Sequence, residues 1–207
     1  MLKSVLLASA LALSFGQTVS AATYTTIFED DFDAEAQGLN RDPLTNWDVT
    51  DGSIDVIGGP PEFFNFYPGN GNYIDMDGST GNAGRMTTNE IFDFVTGVVY
   101  RLYFTMGQNG QGSDTLNFGF DFLANSITNV GGIAGAMVDR YVDFSVVANT
   151  SSALFFEGVG FDNQGMIVDN VILKSLDDVA AIPLPATAPL ILLGLGGLLG
   201  LRRRKRG

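Results

Sequence analysis

Among its 207 residues the chain has no cysteine and no histidine. Ser-His-Asp and Cys-His triads, thiolate nucleophiles and the usual zinc ligand sets are therefore unavailable. No disulfide can staple the fold, and lipid attachment through an N-terminal cysteine is excluded. Tryptophan occurs once, as Trp47. Positive charge is scarce and lies mostly at the ends: Lys3 stands near the N-terminus and Arg202-Arg203-Arg204-Lys205-Arg206 near the C-terminus. Between them only Arg41, Arg85, Arg101, Arg140 and Lys174 face all 23 acidic residues, a formal charge of −18. Such a surface repels nucleic acid and anionic lipid, so neither is expected as a partner. The same charge also serves plain solubility in an envelope rich in divalent cations.

The two ends set the destination. Met1-Leu2-Lys3, an apolar run from Val5 to Phe15 and the small residues Val19-Ser20-Ala21-Ala22 have the three regions of a secretory signal peptide, expected over 1–21. At the other end, residues 182 to 201 carry no charge. At roughly 1.5 Å per residue that run is about 30 Å long, just enough to cross a bilayer core. Pro183, Pro185 and Pro189 interrupt a regular helix, so a transmembrane helix is expected from Pro189 to Leu201. The basic cluster after it would stay in the cytoplasm.

The segment Ile182-Pro183-Leu184-Pro185-Ala186, the Gly/Leu-rich span and the terminal arginines resemble the VPLPA variant of the PEP-CTERM sorting signal, with isoleucine in place of the usual valine. The resemblance implies recognition by an exosortase-type membrane protease, removal of the tail, and passage from an inner-membrane anchor to the cell surface or extracellular matrix. Leu184-Pro185-Ala186-Thr187-Ala188 also approximates a sortase signal, but Ala188 stands where glycine is expected. A plain anchor without processing is the simplest alternative. The organisation is then a signal peptide over 1–21, an ectodomain over 22–178 and a sorting segment over 179–207. An ectodomain of about 160 residues is one domain, large enough for a hydrophobic core.

Within the ectodomain the apolar period is two almost throughout. Val98, Tyr100, Leu102, Phe104 and Met106 alternate with Val99, Arg101, Tyr103 and Thr105, and Leu116, Phe118, Phe120 and Phe122 alternate with polar or small residues. Similar runs span 23–28, 47–57, 73–76, 84–87, 140–148, 153–159 and 166–174, separated by Gly/Asn/Asp clusters. The expected fold is all-β, an antiparallel sandwich of jelly-roll type with about nine or ten strands. Residues 124–136 read as a short helix or an irregular loop, and Gly131, Gly132 and Gly135 favour the loop.

Phe28-Glu29-Asp30-Asp31-Phe32-Asp33, Asn46-Trp47-Asp48-Val49, Tyr73-Ile74-Asp75-Met76-Asp77-Gly78 and Ile167-Val168-Asp169-Asn170-Val171 follow one another in an order similar to carbohydrate-binding-module jelly rolls. That resemblance implies a polysaccharide partner and a structural calcium ion held by Asp33 and Asp169. Read without it, Asp30, Asp31 and Asp33 are a solvated turn and Asp169 caps a strand. An EF-hand at Asp75 fails, because Thr80 occupies the glycine position and Met86 the closing glutamate. Glycoside hydrolysis would need two facing carboxyl groups. No spacing singles out a pair from Glu29, Glu35, Glu62, Glu90 and Glu157, so no catalytic residue is assigned and the chain is not expected to be an enzyme.

Sugar recognition usually employs aromatic rings. Trp47, beside a strand, reads as core. Phe63, Phe64, Phe66 and Tyr67 lie between Pro60-Pro61 and Pro68, outside any alternating run. They form either an exposed ligand-binding patch or a loop folded over the sandwich.

Overall fold

The computed structural model describes residues 23–59, 64–109, 113–128 and 135–176. The expected signal peptide, the sorting segment with Ile182, Pro183, Leu184, Pro185 and Ala186, and Phe63 lie outside the described residues. The described residues form thirteen strands: β1 (Tyr24–Asp30), β2 (Trp47–Asp51), β3 (Asp55–Gly58), β4 (Asn72–Asp75), β5 (Arg85–Thr88), β6 (Phe92–Phe94), β7 (Val99–Gln108), β8 (Thr115–Phe120), β9 (Leu123–Thr128), β10 (Val138–Phe144), β11 (Thr150–Ser152), β12 (Phe155–Val159) and β13 (Met166–Leu176). One sheet runs β10-β7-β13-β4-β3, with β1 also paired to β13; the other runs β2-β5-β12-β8-β9; β6 and β11 form a short ribbon. The paired strands are antiparallel.

The chain changes sheet repeatedly, from β1 to β2, from β2 to β3, from β4 to β5 and from β12 to β13. This places sequence neighbours on opposite layers, as in jelly rolls. Inward residues of both layers form one core. Phe104 of the first sheet meets Phe118 and Phe156 of the second at ring-centroid distances of 4.7 and 5.1 Å. Trp47 is fully buried there, and its indole N–H donates to the Asp30 carboxylate at 2.9 Å. A buried indole needs such an acceptor.

The strand count corrects the expected nine or ten, for local reasons. The run 47–57 is two strands because Gly52 turns the chain at φ 58°, a conformation that favours glycine. Strands β6 and β11 have three residues each, too few to show a period. Residues 123–128 are a strand rather than the loop expected over 124–136. They return beside β8 in a tight hairpin, and Gly131, Gly132 and Gly135 all lie beyond the strand's end.

The core generates a direct test. Phe156 is buried among Phe104, Phe118 and Trp47. Phe156→Ala should lower the unfolding free energy by about 3–5 kcal/mol, read as a lower urea midpoint with unchanged slope.

Candidate functional site

Alternation along the first sheet sends Val56, Ile74, Phe104, Met106 and Val168 into the sandwich, and their neighbours Ile57, Tyr73, Gly107 and Ile167 to the opposite, outer face. A strap formed by residues 64–71 lies across that face. Tyr67 packs with Ile57, Tyr73 and Ile167 in a second, smaller apolar cluster. The Tyr67 hydroxyl donates to the Gln108 carbonyl and accepts from the Gln108 N–H, both at 2.7 Å. The Tyr73 hydroxyl accepts from the N–H groups of Phe66 (2.6 Å) and Tyr67 (3.1 Å). Burial pushes the pKa of both phenols up, so both remain donors. A side chain at Gly107 would meet the Tyr67 ring at 2.6 Å, which is why glycine stands under it.

The expected aromatic patch is therefore divided. Tyr67, only 3% exposed, sits as the folded-over loop would place it and offers no open stacking face. Phe64 is 55% exposed. Phe66 is half-buried and separates two clefts, lining both.

The larger cleft has a volume of ≈ 580 Å³. Phe66, Met137 and Ile172 supply apolar surface, and Asn70, Thr105, Asp139 and Asn170 supply hydrogen-bonding groups around Tyr103. The Thr105 hydroxyl donates to Asp139 at 3.2 Å. Burial, with help from the Asp139 carboxylate, keeps the Tyr103 hydroxyl protonated. The smaller cleft, ≈ 290 Å³, is lined by Asp55, Asp75 and Phe64 among others. Beside the larger cleft Arg101 lies between the rings of Tyr24 and Tyr141, 4.9 and 4.2 Å from their centroids. It holds Asp143 through two bonds of 2.6 and 2.7 Å. That pairing lowers the Asp143 pKa and already neutralises the cation.

Sequence reasoning missed Tyr103, Thr105, Met137 and Asp139. Tyr103 and Thr105 are the outward members of the alternation through Leu102, Phe104 and Met106. They were legible as a solvent face but not as a cleft, because the strap and β10 make it one.

Asp169 is fully buried at a bulge in β13, where the register with β7 shifts between Asp169 and Ile172 and Asn170 adopts φ 49°. Its carboxylate accepts from the Asn170 N–H at 2.7 Å and the Asn170 amide at 3.1 Å. Burial, together with the negative charges of Asp33, Asp31 and Asp30, pushes its pKa up to about 7. Asp33 accepts from the Asn72 N–H at 2.7 Å. Asp30 is not a free turn acid: it binds the Phe32 N–H, the Asn46 amide and the Trp47 indole. In kind, a buried carboxylate facing like charges fits a hard cation. Among the described residues no three acidic side chains converge into a ready-made ion cluster, so Asp33 and Asp169 would need carbonyl and water oxygens to complete a shell.

No family model and no curated protein matches this chain. Among solved structures it is similar to the CBM22-1–GH10 modules of Clostridium thermocellum xylanase 10B complexed with xylohexaose, with 12% identity, TM-score 0.44, and coverage of 74% of this chain and 29% of that one. The CBM22-1 xylan-binding domain of Paenibacillus barcinonensis Xyn10C gives 10% identity and TM-score 0.37 over 77% of this chain and 99% of that one. A mutant of the family 29 carbohydrate-binding module CBM29-2 gives 15% and 0.36 over 78% and 97%. These likenesses are too loose to carry a ligand or an activity to this chain.

The raised pKa of Asp169 has a definite sign in stability. A carboxyl group whose folded pKa exceeds its unfolded value binds its proton more tightly when folded, so its contribution declines as pH rises from the ordinary value of 3.8 to about 7 and is flat above. With divalent cations chelated, the melting temperature should rise as pH falls from 8 towards 5. Asp169→Asn should remove the part of that slope nearest pH 7, as differential scanning calorimetry at several pH values would show.

Proposed function

We propose that this chain is an exported surface or matrix protein whose sandwich binds a neutral polysaccharide, without turning it over, in the cleft between the strap and β10. The observation that carries this reading is the make-up of the cleft. Phe66, Met137 and Ile172 offer apolar surface to the carbon face of a sugar, while the Tyr103 hydroxyl, Asp139, Asn70 and Asn170 are placed to bind its hydroxyls. The Arg101 cation is engaged by Asp143, and the formal charge of −18 gives no attraction to acidic polymers.

Phe66→Ala and Tyr103→Ala should each weaken retention of soluble neutral polysaccharide by roughly tenfold, which corresponds to about 1.4 kcal/mol. Binding should be nearly indifferent to salt, since no charge is neutralised. Affinity electrophoresis with calorimetry reads both effects. If the unmodified protein retains no polysaccharide, a structural envelope component without a ligand becomes the better account.

Export and anchoring rest on the sequence at the two ends. An exosortase-type protease would act at Ile182–Ala186 while residues 189–201 hold the chain in the inner membrane, releasing the sandwich to the surface or matrix. Intact mass spectrometry of protein from native cells should find a species lacking Arg202–Arg206. Recovery only of chains ending in Arg206-Gly207 would replace processing with a permanent anchor. A structural calcium ion at Asp33 and Asp169 belongs to the same proposal: it would neutralise the buried Asp169 carboxylate and tie the turn after β1 to β13.

A further inference from the structure

A second group of acids, separate from Asp33 and Asp169, lies where the segment after β4, the approach to β8 and the connection from β12 to β13 meet. Asp75 is fully satisfied there. One of its oxygens accepts from the N–H groups of Asp77 and Gly165, both at 3.1 Å, and the other from the Asn109 amide. Asp77 and Asp114 are not. Asp77 is 1% exposed and its Oδ1 is buried with no hydrogen-bond partner. Asp114 is 4% exposed and its Oδ2 is likewise buried without a partner.

A buried carboxylate oxygen with nothing to accept from is costly, and a second buried carboxylate nearby adds to the cost. The two side chains do approach one another. A Cβ at Gly160 would stand 2.7 Å from Asp77 Oδ2 and 3.2 Å from Asp114 Oδ1, the second oxygen of each carboxylate, so the space left by glycine is bordered by both groups. The Asp162 N–H donates to Asp77 Oδ2 at 3.3 Å, closing the connection over the pair. The ion pairs among the described residues use Glu157 with Arg85 and Asp143 with Arg101, and neither involves these acids. Burial first, then the charges of their acidic neighbours, push Asp114 up to about 6 and Asp77 upward from its ordinary value.

We propose that Asp77 and Asp114 bind a hard divalent cation of the calcium class beside Gly160, joining the segments that carry these three residues. Oxygen donors select such an ion, which takes about six to eight ligands, and backbone carbonyls and water would complete what two carboxylates begin. The role is structural: the ion supplies the positive charge that the protein does not, to two buried carboxylates that are each short of one hydrogen-bond partner.

The test uses the full chain, stripped with chelator and then titrated with calcium chloride or magnesium chloride. Equilibrium dialysis gives the stoichiometry and thermal melting gives the linked stability. The Asp77→Asn/Asp114→Asn double variant should bind one calcium fewer per chain than the unmodified protein, whereas Asp169→Asn should retain this ion. The signs should also cross. In chelator the double variant should melt at or above the unmodified protein, because mutual repulsion is gone; in calcium it should melt several degrees below it. Magnesium should substitute poorly, since it demands a small, regular octahedron. Gly160→Ala keeps both carboxylates and places a methyl group between them, so it should weaken calcium at this site at least tenfold even if the double variant does not fold. Full calcium stoichiometry in the double variant, or unaltered affinity in Gly160→Ala, would overturn the proposal.

Discussion

The pairing of β13 is the constraint on which the rest of the first sheet depends. Along one side it follows β7 from Met166 to Leu176; along the other it meets β4 through Ile167 and Val168, then β1 from Val171 onward. At the hand-over from β4 to β1, the register with β7 on the opposite edge shifts at a bulge between Asp169 and Ile172, which bends the strand there. It also fixes where chemistry can occur. Asp169 is turned into a buried position beside the acidic turn that ends β1, while Asn170 and Ile172 are left on the border of the larger cleft.

Charge is the second organising fact. With five basic residues against 23 acidic ones outside the terminal segments, most carboxylates have no cation to pair with. Many are used as acceptors instead. Asp30 holds the Trp47 indole, Asp33 the Asn72 N–H, Asp55 the Asn40 N–H and the Ser79 hydroxyl, and Asp75 two backbone N–H groups. Accepting N–H bonds stabilises a carboxylate within the fold and ties loops to strands at the same time. Asp77 and Asp114 stand out because their neighbours supply fewer donors than they have oxygens.

Sequence reasoning reached the layers of this molecule more readily than its surface. The alternations through Leu102, Phe104 and Met106, and through Leu116, Phe118 and Phe120, are legible because a half-buried strand imposes period two on its own residues. Trp47 could be read as core from its place beside such a strand. Strands β6 and β11 were not legible, since three residues carry no period, and β9 was masked by the glycines that follow it. The cleft around Tyr103 escaped for a different reason: its walls come from β7, β10, β13 and the strap, which only the sheet order brings together. The same holds for Asp77, Asp114 and Gly160, which occupy three separate connections.

The strap shows why a cluster of aromatic residues in a loop does not by itself distinguish a binding surface from a cover. Its rings have different tasks because the sheet beneath is uneven. Gly107 leaves a depression on the outer face into which the Tyr67 ring fits, and the phenol then reaches the Gln108 backbone. Filling that depression anchors the strap, with Tyr73 holding the adjoining N–H groups. Once Tyr67 is committed downward, Phe66 is fixed as the ridge between two clefts and Phe64, at φ 49°, is turned outward. One buried phenol thus anchors the strap that walls the larger cleft, so the proposed glycan surface depends on a residue committed to the sheet beneath it.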